Sequence, residues 1–216
     1  MKRIKSLLVI VALLLGGAAA RAQYYEIANQ VQNMLGKALS GSFNYKGFVD
    51  VSALGGTGDK KVNFFGVSTT QGFKYASWFY MGVGLGVDVA TAKNGAVRTE
   101  DGRPYDGNTT KAMIPVFSDF RFNIGGAGTN VFIDVKAGAT WLVGNGDLVV
   151  DDIAMTHGTQ FYLRPSLGVR IPVSTDTRRA LNIGVTYQLI TSNNFYNYYD
   201  NSLSLNAFGA TISYEW

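Results

Sequence analysis

The chain has 216 residues, with 19 Lys and Arg against 15 Asp and Glu, and no cysteine. The missing cysteine excludes a disulfide scaffold, a thiolate metal site, a cysteine nucleophile and a lipid-modified N-terminal cysteine. Lys2, Arg3, Lys5 and Arg21 precede residue 23 with no acid beside them, which leaves 15 charges of each sign beyond it. A neutral remainder gives no argument for a nucleic-acid partner. Glycine (26), Tyr (12) and Phe (13) are abundant while Pro is scarce (4), a balance that points to β structure rather than disorder.

Residues 1–22 read as a secretory signal peptide. Lys2, Arg3 and Lys5 form a positive start, Leu7 to Leu15 an apolar run, and Ala20-Arg21-Ala22 a cleavage site of small residues. The apolar run is too short for the roughly 20 residues that a helical bilayer span requires. Cleavage is expected after Ala22. From Tyr25 to Leu39 the apolar residues Ile27, Val31, Met34, Leu35 and Ala38 recur at helical spacing, opposite Glu26, Asn29, Gln30, Gln32, Asn33 and Lys37. Residues 23–40 are therefore expected to form a short amphipathic helix ended by Ser40-Gly41, lying on a membrane surface, docked under the following domain or touching a partner.

After residue 40 the period changes to two. Eight alternating segments follow: Ser42–Ala53, Val62–Tyr75, Phe79–Ala92, Lys111–Ile124, Asn130–Val143, Thr159–Val173, Ala180–Thr191 and Ser202–Trp216. Each is longer than the 5–6 residues of an average soluble strand and suits a tilted crossing of a bilayer. Three connections are short (Ala76–Trp78, Gly125–Thr129, Ser174–Arg179). Four are longer (Leu54–Lys61, Lys93–Thr110, Gly144–Gly158, Ser192–Asn201). Short turns on one side and long loops on the other are the pattern of an outer-membrane barrel. In lipid every backbone polar group must pair internally, so the eight segments are expected to close on themselves. The expected fold is all-β: an eight-stranded antiparallel up-and-down transmembrane β-barrel over residues 41–216, after the short helix. A soluble sandwich with its apolar face inward is the rival architecture.

If the apolar faces meet lipid, the opposite faces fill the lumen. They carry Lys46, Asp50, Lys74, Asp88, Asp119, Arg121, Asp134, Lys136, Arg164, Arg170 and Glu215, a nearly balanced set of cations and anions. Unpaired buried charge is costly, so these groups are expected to form a salt-bridged plug rather than a pore of one sign. Gly82, Gly84 and Gly86 resemble part of a dinucleotide fingerprint, but their strict period of two and the lack of a following helix place them on the lumen face, making room for large neighbours. Gly55-Gly-Thr-Gly-Asp-Lys60 lacks phosphate-loop spacing. No cofactor or metal site is expected. Pro115 and Pro165 fall mid-strand, each removing a ladder donor. Gln71 falls on the lipid face, Phe48 and Phe117 face inward, and Leu203 and Leu205 are out of phase with Phe208, which predicts a bulge or a projection above the membrane. Trp78, Tyr75 and Phe43 are expected at the lower rim, and Trp141 and Tyr187 nearer the upper one.

The chain ends with alternating hydrophobics, Gly209, Ile212, Tyr214 and Trp216 among them. This resembles the C-terminal signal of outer-membrane barrels, and the resemblance implies the barrel-assembly machinery as a partner. Segments two and three, Gln71-Gly-Phe-Lys-Tyr75 and Trp78-Phe-Tyr-Met-Gly82-Val-Gly-Leu-Gly86-Val-Asp88, resemble the Gly-aromatic hairpin of the PorT-like outer-membrane barrel family common in Bacteroidetes, similar in size to OmpX-type barrels. The resemblance, over residues 41–216, implies a Gram-negative outer membrane and a porin-like fold. It also implies a structural role or an accessory place in a larger outer-membrane complex.

Two other functions have residues to offer. Lipid A acyltransferases and deacylases share this layout and need a rim histidine, for which His157, near Asp151 and Asp152 in sequence, is the candidate; a charged lumen argues against an acyl pocket. The loop Phe195, Tyr196, Tyr198 and Tyr199 with Asp200 offers aromatic faces for a sugar, or simply an upper aromatic girdle. The acidic stretches Glu100–Asp106 and Asp147–Asp152 lack the spacing of a calcium loop and read as turns.

Overall fold

The computed structural model describes residues 44–76, 78–92, 107–125, 128–151, 153–173, 178–193, 195–196 and 203–216. The expected signal peptide (1–22), the helix (23–40), Phe43, Asp152, Tyr198 and Tyr199 lie outside the described residues. The strands in chain order are β1 (Asn44–Thr57), β2 (Val62–Ala76), β3 (Phe79–Ala92), β4 (Gly107–Asn108), β5 (Thr110–Ile124) and β6 (Asn130–Leu142). They continue as β7 (Asp147–Val150), β8 (Ile153–Met155), β9 (Gln160–Pro172), β10 (Ala180–Ser192), β11 (Phe195–Tyr196) and β12 (Leu203–Glu215).

Eight of these, each 13 to 15 residues long, form a closed antiparallel barrel in the order β1-β12-β10-β9-β6-β5-β3-β2. The alternation that produced the expectation runs the length of each wall strand. Along β3, residues 80, 82, 84, 86, 88, 90 and 92 are buried while the intervening ones are half-buried or exposed. Exposed large side chains such as Val67, Leu85, Ile133, Leu167, Val185 and Ile212 point out all around the wall, and the inward positions carry the charges. The apolar faces therefore do not meet one another, and the sandwich is excluded. Closure joins β1 to β12 from Phe48↔Glu215 to Thr57↔Asn206, and Gly47 and Trp216 exchange backbone hydrogen bonds of 3.2 and 3.1 Å below that register.

The two mid-strand prolines sit at gaps in the pairing. The β3–β5 register passes from Leu85↔Val116 to Asp88↔Met113, skipping Pro115. The β9–β10 register passes from Thr186↔Ser166 to Leu189↔Leu163, skipping Pro165. A residue without an N–H is tolerated where the ladder already lacks a bond. The inward glycines act as expected: a Cβ on Gly84 would stand 2.5 Å from the Phe117 ring, and one on Gly168 would stand 2.7 Å from Phe132.

Three expectations are corrected. The first connection is not an eight-residue loop: β1 extends to Thr57 and only 58–61 remain, with Gly58 taking the left-handed φ of 79° that this tight return requires. Leu203 and Leu205 lie on no bulge, because β12 pairs with β10 without a break from Leu203↔Ser192 to Glu215↔Ala180. Both point inward and are buried, in phase with the lumen face rather than with Phe208. The long connections are also not plain loops. Segments β4, β7, β8 and β11 form a second sheet in the order β11-β8-β7-β4, with β4 parallel to β7.

Candidate functional site

The lumen is divided along its axis. The third at the short-turn end and the middle are ionic; the third at the long-loop end is apolar. Period two puts one residue in every pair inside, and the sequence changes what it supplies there. Along β1 the inward run is Lys46, Phe48, Asp50, Ser52 and then Leu54. Along β9, read the other way, it is Arg170, Gly168, Ser166, Arg164 and then Tyr162.

At the short-turn end Glu215 bridges two cations. Lys46 Nζ donates to one carboxylate oxygen at 2.7 Å, and Arg170 Nε to the other at 2.7 Å. Arg170 adds a second bond of 2.9 Å to the first oxygen. This bidentate fork gives the geometry that makes a buried pair tolerable. Lys46 also donates to the Arg178 carbonyl. Lys74, half-buried beside them at the start of the lumen, makes no ion pair among the described residues.

In the middle, Lys136 Nζ reaches Asp134 at 2.9 Å and Asp50 at 3.1 Å, and Ser68 donates to Asp50 at 3.3 Å. Arg121 lies 3.5 Å from Asp134, with its guanidinium stacked between the Phe48 and Phe132 rings at 4.0 and 4.6 Å. A weakly hydrated planar cation between two ring faces gains cation–π attraction while losing water. Arg164 donates to Asp88 at 2.7 Å, to Ser52 at 3.3 Å and to Gln188 through two nitrogens. Asp119 faces Lys136 directly across the β5–β6 ladder, yet Lys136 turns to Asp134 and Asp50. Of the eleven charges expected in the lumen, ten are buried and Lys74 is half-buried. Nine of them are joined in three ion-paired groups with Asp50, Asp88, Asp134 and Glu215 as the acids.

Phe117 and Tyr162, stacked at 5.8 Å, mark the boundary between the zones. On their ionic side stand Lys136, 5.9 Å from the Phe117 ring, and Arg164, 5.2 Å from the Tyr162 ring. On the other side is a single apolar cluster in which Leu54, Phe64, Met113, Leu142, Ile190, Leu203 and Leu205 of the wall meet Leu148, Val150, Ile153 and Met155 of the β7–β8 hairpin. The hairpin turns at Asp151, whose φ of 54° is rare for a non-glycine and fits a two-residue turn. It folds inward because four of its seven strand residues have no other apolar surface to meet. The stretch from Asp147, expected to read as a turn, thus contains a turn at Asp151 whose flanking strands β7 and β8 form a stopper in the barrel mouth.

His157 sits over this stopper, half-exposed. Its Nδ1 is 3.3 Å from Asp147 Oδ1 and its Nε2 is 2.7 Å from the Gly144 carbonyl. The histidine meets Asp147, not the sequence neighbour Asp151, because the hairpin turn carries Asp151 away. Both ring nitrogens are engaged in fastening the loop. Phe195 and Tyr196 form β11, paired with Met155 and Ala154, rather than an open aromatic loop. Among the described residues no three His, Asp or Glu groups gather as metal ligands.

Sequence reasoning missed the stopper, the Phe117–Tyr162 shelf and Lys111, a buried cation whose Nζ donates to the Asn145 carbonyl at 2.7 Å and ties the loop before β7 to the wall. Lys111 was visible as the first residue of its segment and in phase with Met113. The residues of the C-terminal signal, Ile212 and Tyr214, point outward, Gly209 is half-buried, and Trp216 stacks on Tyr214 at 6.2 Å.

The arrangement defines a small, closed eight-stranded barrel with an apolar outside and a filled inside. No protein-family profile matches the chain, and no curated protein matches it. Among solved structures it is similar to Neisserial surface protein A (NspA), at 10% identity and a TM-score of 0.49, over 78% of this chain and 95% of that one.

Proposed function

We propose that this chain is an integral outer-membrane barrel of a Gram-negative bacterium, with a plugged lumen and a structural role or an accessory place in a larger outer-membrane complex. The observation that carries the reading is the outward face. Soluble monomers rarely expose a contiguous apolar patch beyond a few hundred Å². Here Val, Ile, Leu and Phe are exposed on all eight wall strands. Exposed Tyr45, Tyr75, Trp78 and Tyr214 lie toward the short-turn end, and Trp141 and Tyr187 toward the other, as aromatic belts do at the two interfaces of a membrane. In this orientation the short turns are periplasmic and the long loops external.

The stopper and the ion pairs support a role that does not depend on conduction. Lipid contacts the wall, the barrel-assembly machinery reads the alternating C-terminal segment, and the partner surface lies on the wall or the outer loops. Membership of the PorT-like Bacteroidetes family rests on the Gly-aromatic hairpin and belongs to the same reading. The test is flotation of the full chain with liposomes through a sucrose gradient, followed by alkaline extraction. Recovery in the extracted membrane is expected; a polypeptide that stays in the soluble fraction without detergent overturns the proposal. Chemical cross-linking in the native membrane, followed by identification of linked chains, then tests the accessory role.

A further inference from the structure

A groove lies on the outer side of the wall. It measures about 360 Å³ and is lined by Ala53, Gly55, Asn63, Phe65, Val89 and Thr91 on the outward faces of β1, β2 and β3, with Leu54 and Phe64 behind. It exists because the small outward residues Ala53 and Gly55 of β1 stand beside the larger Phe65 and Val89 of the next two strands. Gly55 stands opposite Phe208, and Phe208 opposite Tyr187, so the groove begins at the upper aromatic level and runs toward the middle of the wall.

Its upper rim is polar in one sense. The Asn63 side-chain oxygen accepts a hydrogen bond from the Gly56 N–H at 3.0 Å, which leaves its NH₂ group as a donor. Thr91 accepts from the Thr110 hydroxyl at 3.4 Å. Directly before β2, Lys61 is exposed and makes no ion pair among the described residues; Asp59 is the acid of the same turn. An apolar trough that ends in an amide donor, with an exposed lysine two residues beyond it on the same side of the strand, is complementary to a chain with an anionic head.

We propose that this groove binds one acyl chain of a phosphate-bearing membrane lipid, with the phosphate on Lys61 and Asn63. The inference rests on the membrane reading above. Hydrophobicity alone selects nothing here, because every lipid offers an acyl chain; shape selects the chain and Lys61 selects the head.

The experiment is native mass spectrometry of the full chain in non-ionic detergent, offered dioleoyl phosphatidic acid, dioleoylglycerol as the arm without a phosphate, or inorganic phosphate as the arm without a chain. One phosphatidic acid is expected to be retained, about fivefold more tightly than dioleoylglycerol, which is the scale of one lysine at a lipid surface. Lys61→Gln removes that preference. Gly55→Leu fills the groove and lowers retention of both lipids. A Cβ at Gly55 comes no nearer than 3.8 Å to another residue, so this variant is expected to keep the wild-type shift between boiled and unboiled gel mobility. Ala53→Leu, at an exposed position of the same trough, is the second filling variant. Equal retention by wild type and both filled variants overturns the proposal. So does retention of dioleoylglycerol as strong as that of phosphatidic acid, or a dimer mass that the filling variants abolish, which assigns the groove to a second copy. Failure of the membrane reading shows separately, as loss of flotation in the wild type.

Discussion

The middle of the lumen and its long-loop end are built on the same backbone pattern and held together by opposite means. In the middle, charge meets charge: Arg164 spans to Asp88, Ser52 and Gln188, and Lys136 joins Asp134 to Asp50. At the long-loop end, Leu148, Val150, Ile153 and Met155 fill the space with hydrocarbon. The difference teaches where each region is vulnerable. Buried ion pairs break at great cost when one partner is lost, because the other is left charged and dry. A hydrocarbon plug loses only transfer energy and packing, in proportion to the volume removed.

That contrast can be broken by mutation. The largest effect is expected from Arg164→Ala, which strands Asp88: about 3–5 kcal/mol of stability, read from urea unfolding in detergent micelles. The double variant Arg164→Met, Asp88→Leu is expected to recover much of it; a double variant as unstable as the single one would show that the pair is not the cause. Next comes Leu205→Ala on the wall facing the plug, about 2–5 kcal/mol by the same measurement, with no rescue by any change of charge. An outward substitution tests the wall itself. Ile183→Arg is expected to cost about 2–4 kcal/mol in a bilayer near the middle of the wall. A cost confined to lipid, absent in a soluble chaperone complex, would identify the bilayer as its origin. The smallest effect belongs to His157→Ala, which removes two exposed loop contacts and should change stability by no more than about 1 kcal/mol. The same variant should leave lipid A acylation unchanged; altered acylation would restore an enzymatic reading.

The wall was legible in the sequence because a period of two over 13 or more residues is a long signal with one meaning: one face apolar, the other not. The inward charges followed from that phase, and Lys46, Asp50, Asp88, Asp134, Lys136, Arg164, Arg170 and Glu215 meet in pairs as that phase requires. The pairing itself was not legible, since which carboxylate Lys136 selects depends on how far the strands shear around the ring. The stopper was hidden for another reason. Leu148-Val149-Val150 and Ile153-Ala154-Met155 are buried on both faces, so they show no alternation, and flanking aspartates made them look like turns. Leu203 and Leu205 were misread because inward and outward apolar residues are chemically alike; only the unbroken register with β10 separates them.

The seam between β1 and β12 has a kinetic consequence. Lys46 and Glu215, which meet across it, are 169 positions apart, the kind of contact that forms late and slowly. Once it has formed, the wall is a ring, and a ring offers no loose strand from which unzipping can start. Loss of structure must begin by tearing a ladder bonded on both sides, so unfolding should be abrupt and slow, and should retrace a different path from refolding as denaturant is removed.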